Sequence, residues 1–310
     1  MVLESLTSVN EVQKQPAYLF VVSFIVSVVG VLMAYNTFPQ SSSVLAISFA
    51  SLALMPFIHS LFKREESKIA LDQTTKRFLA ENFEVVRVYA WLFVGMVFAY
   101  VFMGVFFPES NENCSGLSCM IPVKKFFFAE QKFVYSSITG NVIAEKECFN
   151  ENTKSFDACF ELIFKNNMWV MVMALIFSLV WGAGALFLLG WNASVIGLFI
   201  ATEINSHSFE AGVARAISYL PHGIPEITAY FLAAIAGGII SAAISKSRFK
   251  PHEVRTIILD AGLLVLLATI SLAIGALVEV AAIFGDFGLA LFFVIVFTLL
   301  CLLLYVFFTK

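Results

Sequence analysis

Charge is scarce in this chain: Asp, Glu, Lys and Arg make up 13% of its 310 residues, against 60% hydrophobic residues and 34 Phe. That balance excludes an ordinary soluble domain, in which about a quarter of the residues are charged, and makes the chain an integral membrane protein. Enzyme signatures are missing too. There is no GxSxG elbow, no HExxH and no Gly-rich phosphate loop, so the hydrolase and nucleotide-binding classes that those strings mark lose support. No basic stretch resembles a nucleic-acid footprint, and the net charge of -3 says little, because a membrane chain is described by where its charges lie. Residues 1–15 carry Glu4, Glu11 and a single Lys14. Without a basic n-region or a small-residue cleavage site, no cleaved signal peptide is expected. The Met and Phe stripes suit lipid-facing or core positions, and no cofactor is expected.

What the chain does contain is long apolar runs. A crossing needs roughly 20 apolar residues, and the runs predict spans near 17–38, 43–62, 88–107, 168–190, 193–219, 224–245, 256–282 and 287–308. The expected fold is all-α, a polytopic bundle of about eight transmembrane helices. Lys63, Arg64, Lys68, Lys76, Arg77 and Arg87 crowd one connection, and Lys246, Arg248, Lys250 and Arg255 another. The positive-inside rule puts both connections, and with eight crossings both termini, in the cytoplasm of a cell-membrane protein. Three regions follow: residues 1–107 with three spans and the cytoplasmic loop 63–87, an extracellular cap over 108–167, and a five-span core over 168–310.

The cap holds Cys114, Cys119, Cys148 and Cys159. An even number of cysteines in a polar extracellular segment predicts two disulfides, of which three pairings are open. The spacings do not match a CxxC zinc pattern, and no metal is expected. Asn113-Cys114-Ser115 is a glycosylation sequon. The stretch Lys124 to Tyr135 mixes basic and aromatic residues and either lies on the membrane surface or forms the core of a small stapled cap. Cys301, inside the last span, is expected to be only a small apolar side chain.

Between Ala201 and Ala229 the apolar run is interrupted by Glu203, Asn205, His207, Glu210, Arg215, His222 and Glu226. An ionisable group near the bilayer centre costs on the order of 3 kcal/mol, so such groups face a bundle interior or a wet cavity. These residues, with the lone Glu279 of the seventh span, are the candidate intramembrane polar or ion site. Residues 193–219 are expected to form one long or kinked span. The alternative is a pair of half-helices, 193–204 and 209–219, separated at Asn205-Ser206-His207-Ser208. At Pro221-His222-Gly223-Ile224-Pro225-Glu226 a turn is expected to start the next helix, with Pro225 in its first turn and Glu226 at the positive end of the helix dipole. His222 and Glu226, four apart, share a face there; the bland reading is an interfacial cap, the sharper one a titratable or cation-binding pair.

Asn166-Asn167 opening a Gly-containing span, Gly182-Trp-Ala-Gly184-Ala, Asn192, Gly197, and Leu220-Pro221-His222-Gly223-Ile224 followed by Glu226 together resemble the stage II sporulation protein M family. The pattern of that family is an Asn-Asn start, an Asn-Gly turn and a Pro-His-Gly-Ile-x-Glu helix entry. This chain departs from it at Ala193 and Pro225. The resemblance covers roughly 166–245. It implies a membrane scaffold, since bacterial members act in spore engulfment and recruit cell-wall hydrolases.

Read without the family, Asn166 and Asn167 are expected to cap the fourth span and Asn192 to close the turn into the fifth. Gly182 and Gly184, like the Ala/Gly-rich stretch 233–242, form smooth patches for close helix packing. The function expected is a multi-pass scaffold, self-associating as a dimer, that rests in the bilayer and presents the cap to extracellular or cell-envelope proteins. The alternative is a cation- or proton-coupled transporter or channel built on the Glu/His cluster.

Overall fold

The structure is a computed structural model that describes residues 17–69, 75–107, 127, 128, 131, 155–182, 184–245 and 251–309. Every long element among them is a helix: α1 (Ala17–Thr37), α2 (Ser42–Ile69), α3 (Thr75–Phe106), α4 (Phe156–Trp181), α5 (Ala185–Ser206), α6 (Phe209–Ser245), α7 (Pro251–Ile283) and α8 (Phe287–Thr309). All eight are long and apolar enough to cross a membrane, as the hydropathy pattern requires. The expected all-α, multi-pass architecture is therefore present. Cys114, Cys119, Cys148, the sequon and the basic residues of 246–250 lie outside the described residues.

Helix limits differ from the sequence expectation in the middle of the chain, for identifiable reasons. The fourth helix begins at Phe156, because Ser155 caps it by accepting from the Ala158 amide. Its first turns read as loop because of Asp157, Glu161 and Lys165. These charges project outward, with Glu161 and Lys165 paired one turn apart, while Phe156, Cys159, Phe160 and Ile163 pack inward against Val280. The same helix stops at Gly182, whose φ of +66° is a left-handed conformation that a glycine adopts without penalty. Gly182 is thus a helix terminator rather than part of a packing patch, and the turn precedes α5 by Gly184 instead of falling at Asn192.

The next break falls at His207-Ser208. There the Ser208 hydroxyl accepts from the Ala211 amide and starts α6, so the polar stretch 205–208 does interrupt the helix. Each side is a helix long and apolar enough to cross a membrane by itself, so neither the single span over 193–219 nor the pair of half-helices is found, and α6 continues through Pro221 and Pro225 with no new start at the Pro-His-Gly string. At 1.5 Å per residue its 37 residues extend over roughly 55 Å, well beyond one bilayer core.

The chain divides into two compact units. The first comprises Met1–Pro56, Val88–Ile143 and Leu186–Ser218. Close helix approach holds it together: a Cβ on Gly95 would fall 2.4 Å from the Phe20 carbonyl oxygen, and one on Gly197 2.5 Å from Tyr100 Cβ. Phe127, Phe128 and Gln131 are also wholly buried here. Neither expectation for the 124–135 stretch, a surface segment or the core of a separate cap, describes these three residues. The Ser43 hydroxyl donates to the Phe127 carbonyl, the Phe127 ring stacks on Tyr100 at 5.4 Å, and Gln131 Nε2 donates to Ser194 Oγ at 3.1 Å.

The second unit comprises Phe57–Arg87, Ala144–Ala185 and Tyr219–Lys310. Within it α7 packs against both α4 and α8. Ile274, Val278, Ala281 and Ala290 form the α7/α8 core, covered by Phe293, Val294 and Phe297. A tight turn at Gly285 (φ +74°) joins these helices, and Asp286 Oδ1 caps α8 by accepting from the Leu289 amide at 2.9 Å.

Candidate functional site

In the second unit three helices bring their polar side chains to one place. Glu226 of α6 is 5% exposed and accepts a hydrogen bond from Asn167 Nδ2 of α4 at 2.9 Å. The other end of the Asn167 amide, Oδ1, accepts from the Tyr230 hydroxyl at 3.0 Å. From α7, the Glu279 side chain lies beside Glu226. The Asn167 amide thus satisfies one oxygen of the enclosed Glu226 carboxyl. The approach depends on Gly275, where a Cβ would fall 2.8 Å from Glu226 Cγ and 3.2 Å from the His222 carbonyl. One turn earlier on α7, Ser271 donates to the Pro225 carbonyl at 2.7 Å.

Around this cluster α6 carries aromatic neighbours. The His222 ring meets that of Tyr219 edge-on at 4.7 Å. Gly223 is buried, and a Cβ there would strike the Tyr219 ring at 2.2 Å, so the glycine makes room for that ring. Pro221 is exposed. His222 and Glu226 lie one turn apart on a continuous helix, but the partners found for Glu226 come from α4 and α7.

Glu203, Asn205, His207, Glu210 and Arg215 belong to the first unit and have a different setting. Glu203 is held by Arg215 at 3.2 Å and by His207 at 3.3 Å, and the Arg215 guanidinium lies over the Phe199 ring at 5.3 Å. The Asn205 side chain donates to the Gly104 carbonyl at 2.9 Å. Residues 205–210 form an exposed turn, with Glu210 in the first turn of α6, where its charge complements the helix dipole. The expected cluster therefore resolves into two groups. Glu226, Glu279 and Asn167 form a buried one in the second unit; Glu203, Arg215 and His207 form an ion-paired one at a helix junction of the first.

The remaining motif residues serve packing and local order. Asn166 is exposed in mid-helix and Asn167 points into the cluster, so neither caps α4, which starts eleven residues before Asn167 at Phe156. Asn192 donates within its own helix to the Leu188 carbonyl at 2.8 Å. A Cβ on Gly184 would fall 2.3 Å from the Phe177 carbonyl oxygen, which fixes the tight turn between α4 and α5. In the Ala/Gly-rich stretch, Gly237 brings α6 onto α4, with 2.4 Å between its would-be Cβ and the Leu175 carbonyl oxygen. Here the close packing expected from small residues is found. Cys301 is a free thiol, partly buried in α8.

A family model described as Stage II sporulation protein M matches residues 88–282, more than half of the chain. The chain belongs to this family. The match extends well beyond the 166–245 stretch that carries the string motifs. It takes in the third helix and the cysteine-bearing segment, which the resemblance was expected to leave out, and ends before α8. No curated protein and no solved structure matches. Membership in the stage II sporulation protein M family and eight apolar helices make this a multi-pass membrane protein.

Sequence reasoning missed Asn167, which donates to Glu226, and Tyr230, which donates to Asn167 in turn. Asn167 was read as a cap and Tyr230 not singled out, although a buried acid in an apolar helix requires donors from neighbouring helices. The presence of an Asn in one span and a Tyr one turn beyond the Glu in another was the available signal.

Proposed function

We propose that this member of the stage II sporulation protein M family is a multi-pass membrane scaffold that anchors partner proteins at the cell membrane. The observation that carries this reading is the use made of the intramembrane polar groups. Asn167 of α4 bonds both Glu226 and Tyr230 of α6, with Glu279 of α7 beside Glu226, which is how polar side chains fasten helices where lipid offers no hydrophobic drive for association. The organisation that goes with it has both termini in the cytoplasm and the segment 108–167 outside as a cap, with two disulfides among Cys114, Cys119, Cys148 and Cys159. Among the described residues the free cysteine is Cys301 and not Cys159, which supports the disulfides. Self-association as a dimer and contact with cell-envelope proteins through the cap complete the reading.

The second reading is a proton- or cation-coupled transporter; the carboxyl pair is what favours it. Glu226→Gln separates the two. Gln keeps an acceptor for Asn167 and a donor for Glu279, so a scaffold retains its stability and its assembly. In a transporter, flux into proteoliposomes disappears with the titratable group while the fold persists. The scaffold reading expects no flux above empty liposomes from either form; flux in the wild type that Glu226→Gln abolishes overturns it.

A further inference from the structure

The buried site explains half of the Asn166-Asn167 pair. Asn167 bonds Glu226 and Tyr230 inside the second unit, whereas Asn166 is turned outward and has no hydrogen-bond partner among the described residues. Other polar side chains of the apolar helices find an acceptor at home: Asn192, Ser218 and Thr298 each donate to a carbonyl of their own helix. Asn166 does not. At 1.5 Å per residue it stands roughly 22 Å from Trp181 at the other end of α4, inside a hydrocarbon layer about 30 Å thick that supplies neither donor nor acceptor.

The residues that share its face form a pattern. Asn166, Trp169, Met173, Ile176 and Val180 recur at alternating steps of three and four, the spacing that keeps side chains on one seam between two helices. Trp169, Ile176 and Val180 are exposed, and 17% of the crossing stretch of α4 is buried within the protein, against 61% in α6. A single Asn in an otherwise apolar seam bonds its mate on a parallel helix and fixes register and strand number. Its amide both donates and accepts, so a second copy of itself answers it fully. Copies inserted with one orientation meet about a twofold axis along the membrane normal, where α4 runs parallel to its mate and each seam residue faces its own copy. We propose that this face of α4 is a homodimer interface, in which the Asn166 amides of two copies of the chain bond one another and Trp169, Met173, Ile176 and Val180 pack along the seam. α8 is barer still, but Thr298, its exposed polar group in mid-helix, is already bonded, so lipid suffices there. The inference deepens the scaffold reading and rests on its self-association.

Two measurements on the full-length protein in liposomes, at a low ratio of protein to lipid, test the interface. The photo-crosslinking residue p-benzoylphenylalanine placed at Val180 is expected to give a covalent dimer, and the same residue at Leu299, exposed on α8, only lipid adducts. Asn166→Leu, at an exposed position where circular dichroism checks that the helices persist, is expected to weaken dimerisation about tenfold, read by single-molecule photobleaching across a dilution series. Asn166→Gln keeps an amide and is expected to retain most of the affinity. A wild type that stays monomeric at every density overturns the self-association and the interface together. A wild-type dimer that gives no adduct at Val180, or that Asn166→Leu leaves unchanged, overturns the interface alone and leaves self-association standing.

Discussion

The two acidic groups of α5 and α6 are made of the same residue type on consecutive helices, yet they are handled in opposite ways. Glu226 is enclosed, bonded by Asn167 and in contact with Glu279, whereas Glu203 sits beside an exposed turn and is held by Arg215 and His207 at salt-bridge distance. The difference teaches that an acid in a hydrophobic run is not evidence of one shared site. At a helix end a carboxylate reaches polar surroundings and gains a screened ion pair of little energetic weight. In the body of a helix it has to be neutralised and bonded by its neighbours, and it then becomes part of what holds them.

Substitutions sharpen or break this contrast, in order of expected effect. Glu226→Leu leaves the Asn167 amide and Glu279 without their partner and is expected to cost about 3 kcal/mol, read as the unfolding free energy in mixed micelles. Gly275→Val places a branched side chain where Glu226 Cγ lies 2.8 Å from even a Cβ and is expected to cost about 2 kcal/mol through overpacking; a neutral result shows that α6 and α7 are not closely apposed. Tyr230→Phe removes one neutral hydrogen bond, for a loss of about 1 kcal/mol. Glu203→Gln is expected to change stability by less than about 1 kcal/mol, because its partners are partly solvated. If Glu203→Gln proves as damaging as Glu226→Leu, the contrast fails.

Much of the fold is legible in the sequence because the bilayer imposes length and apolarity on every crossing. The eight helices and the tight turn at Gly285-Asp286 follow from that rule; the break at His207-Ser208, inside what the rule reads as one span over 193–219, does not. What failed was the reading of residues with two possible jobs. Gly182 fits a packing patch as well as a helix end, and only its left-handed φ decides. Glu161 and Lys165 look like loop until their outward pairing on α4 is seen. Of the site, Glu226 and Glu279 were identifiable as polar groups in apolar helices. The bond of Glu226 to Asn167 and the approach of Glu279 were not, since 59 residues separate Asn167 from Glu226 and no periodicity encodes that meeting. The burial of Phe127 and Gln131 among helices is likewise a tertiary choice, invisible in a stretch whose local composition suits a membrane surface.

The central claim is that Glu226 and Asn167 act together to fasten α6 to α4. A double-mutant cycle of Asn167→Ala and Glu226→Leu, with unfolding free energies measured in the same micelles, tests it most directly. The account predicts a coupling of about 1 kcal/mol; losses that add to within about 0.3 kcal/mol contradict it.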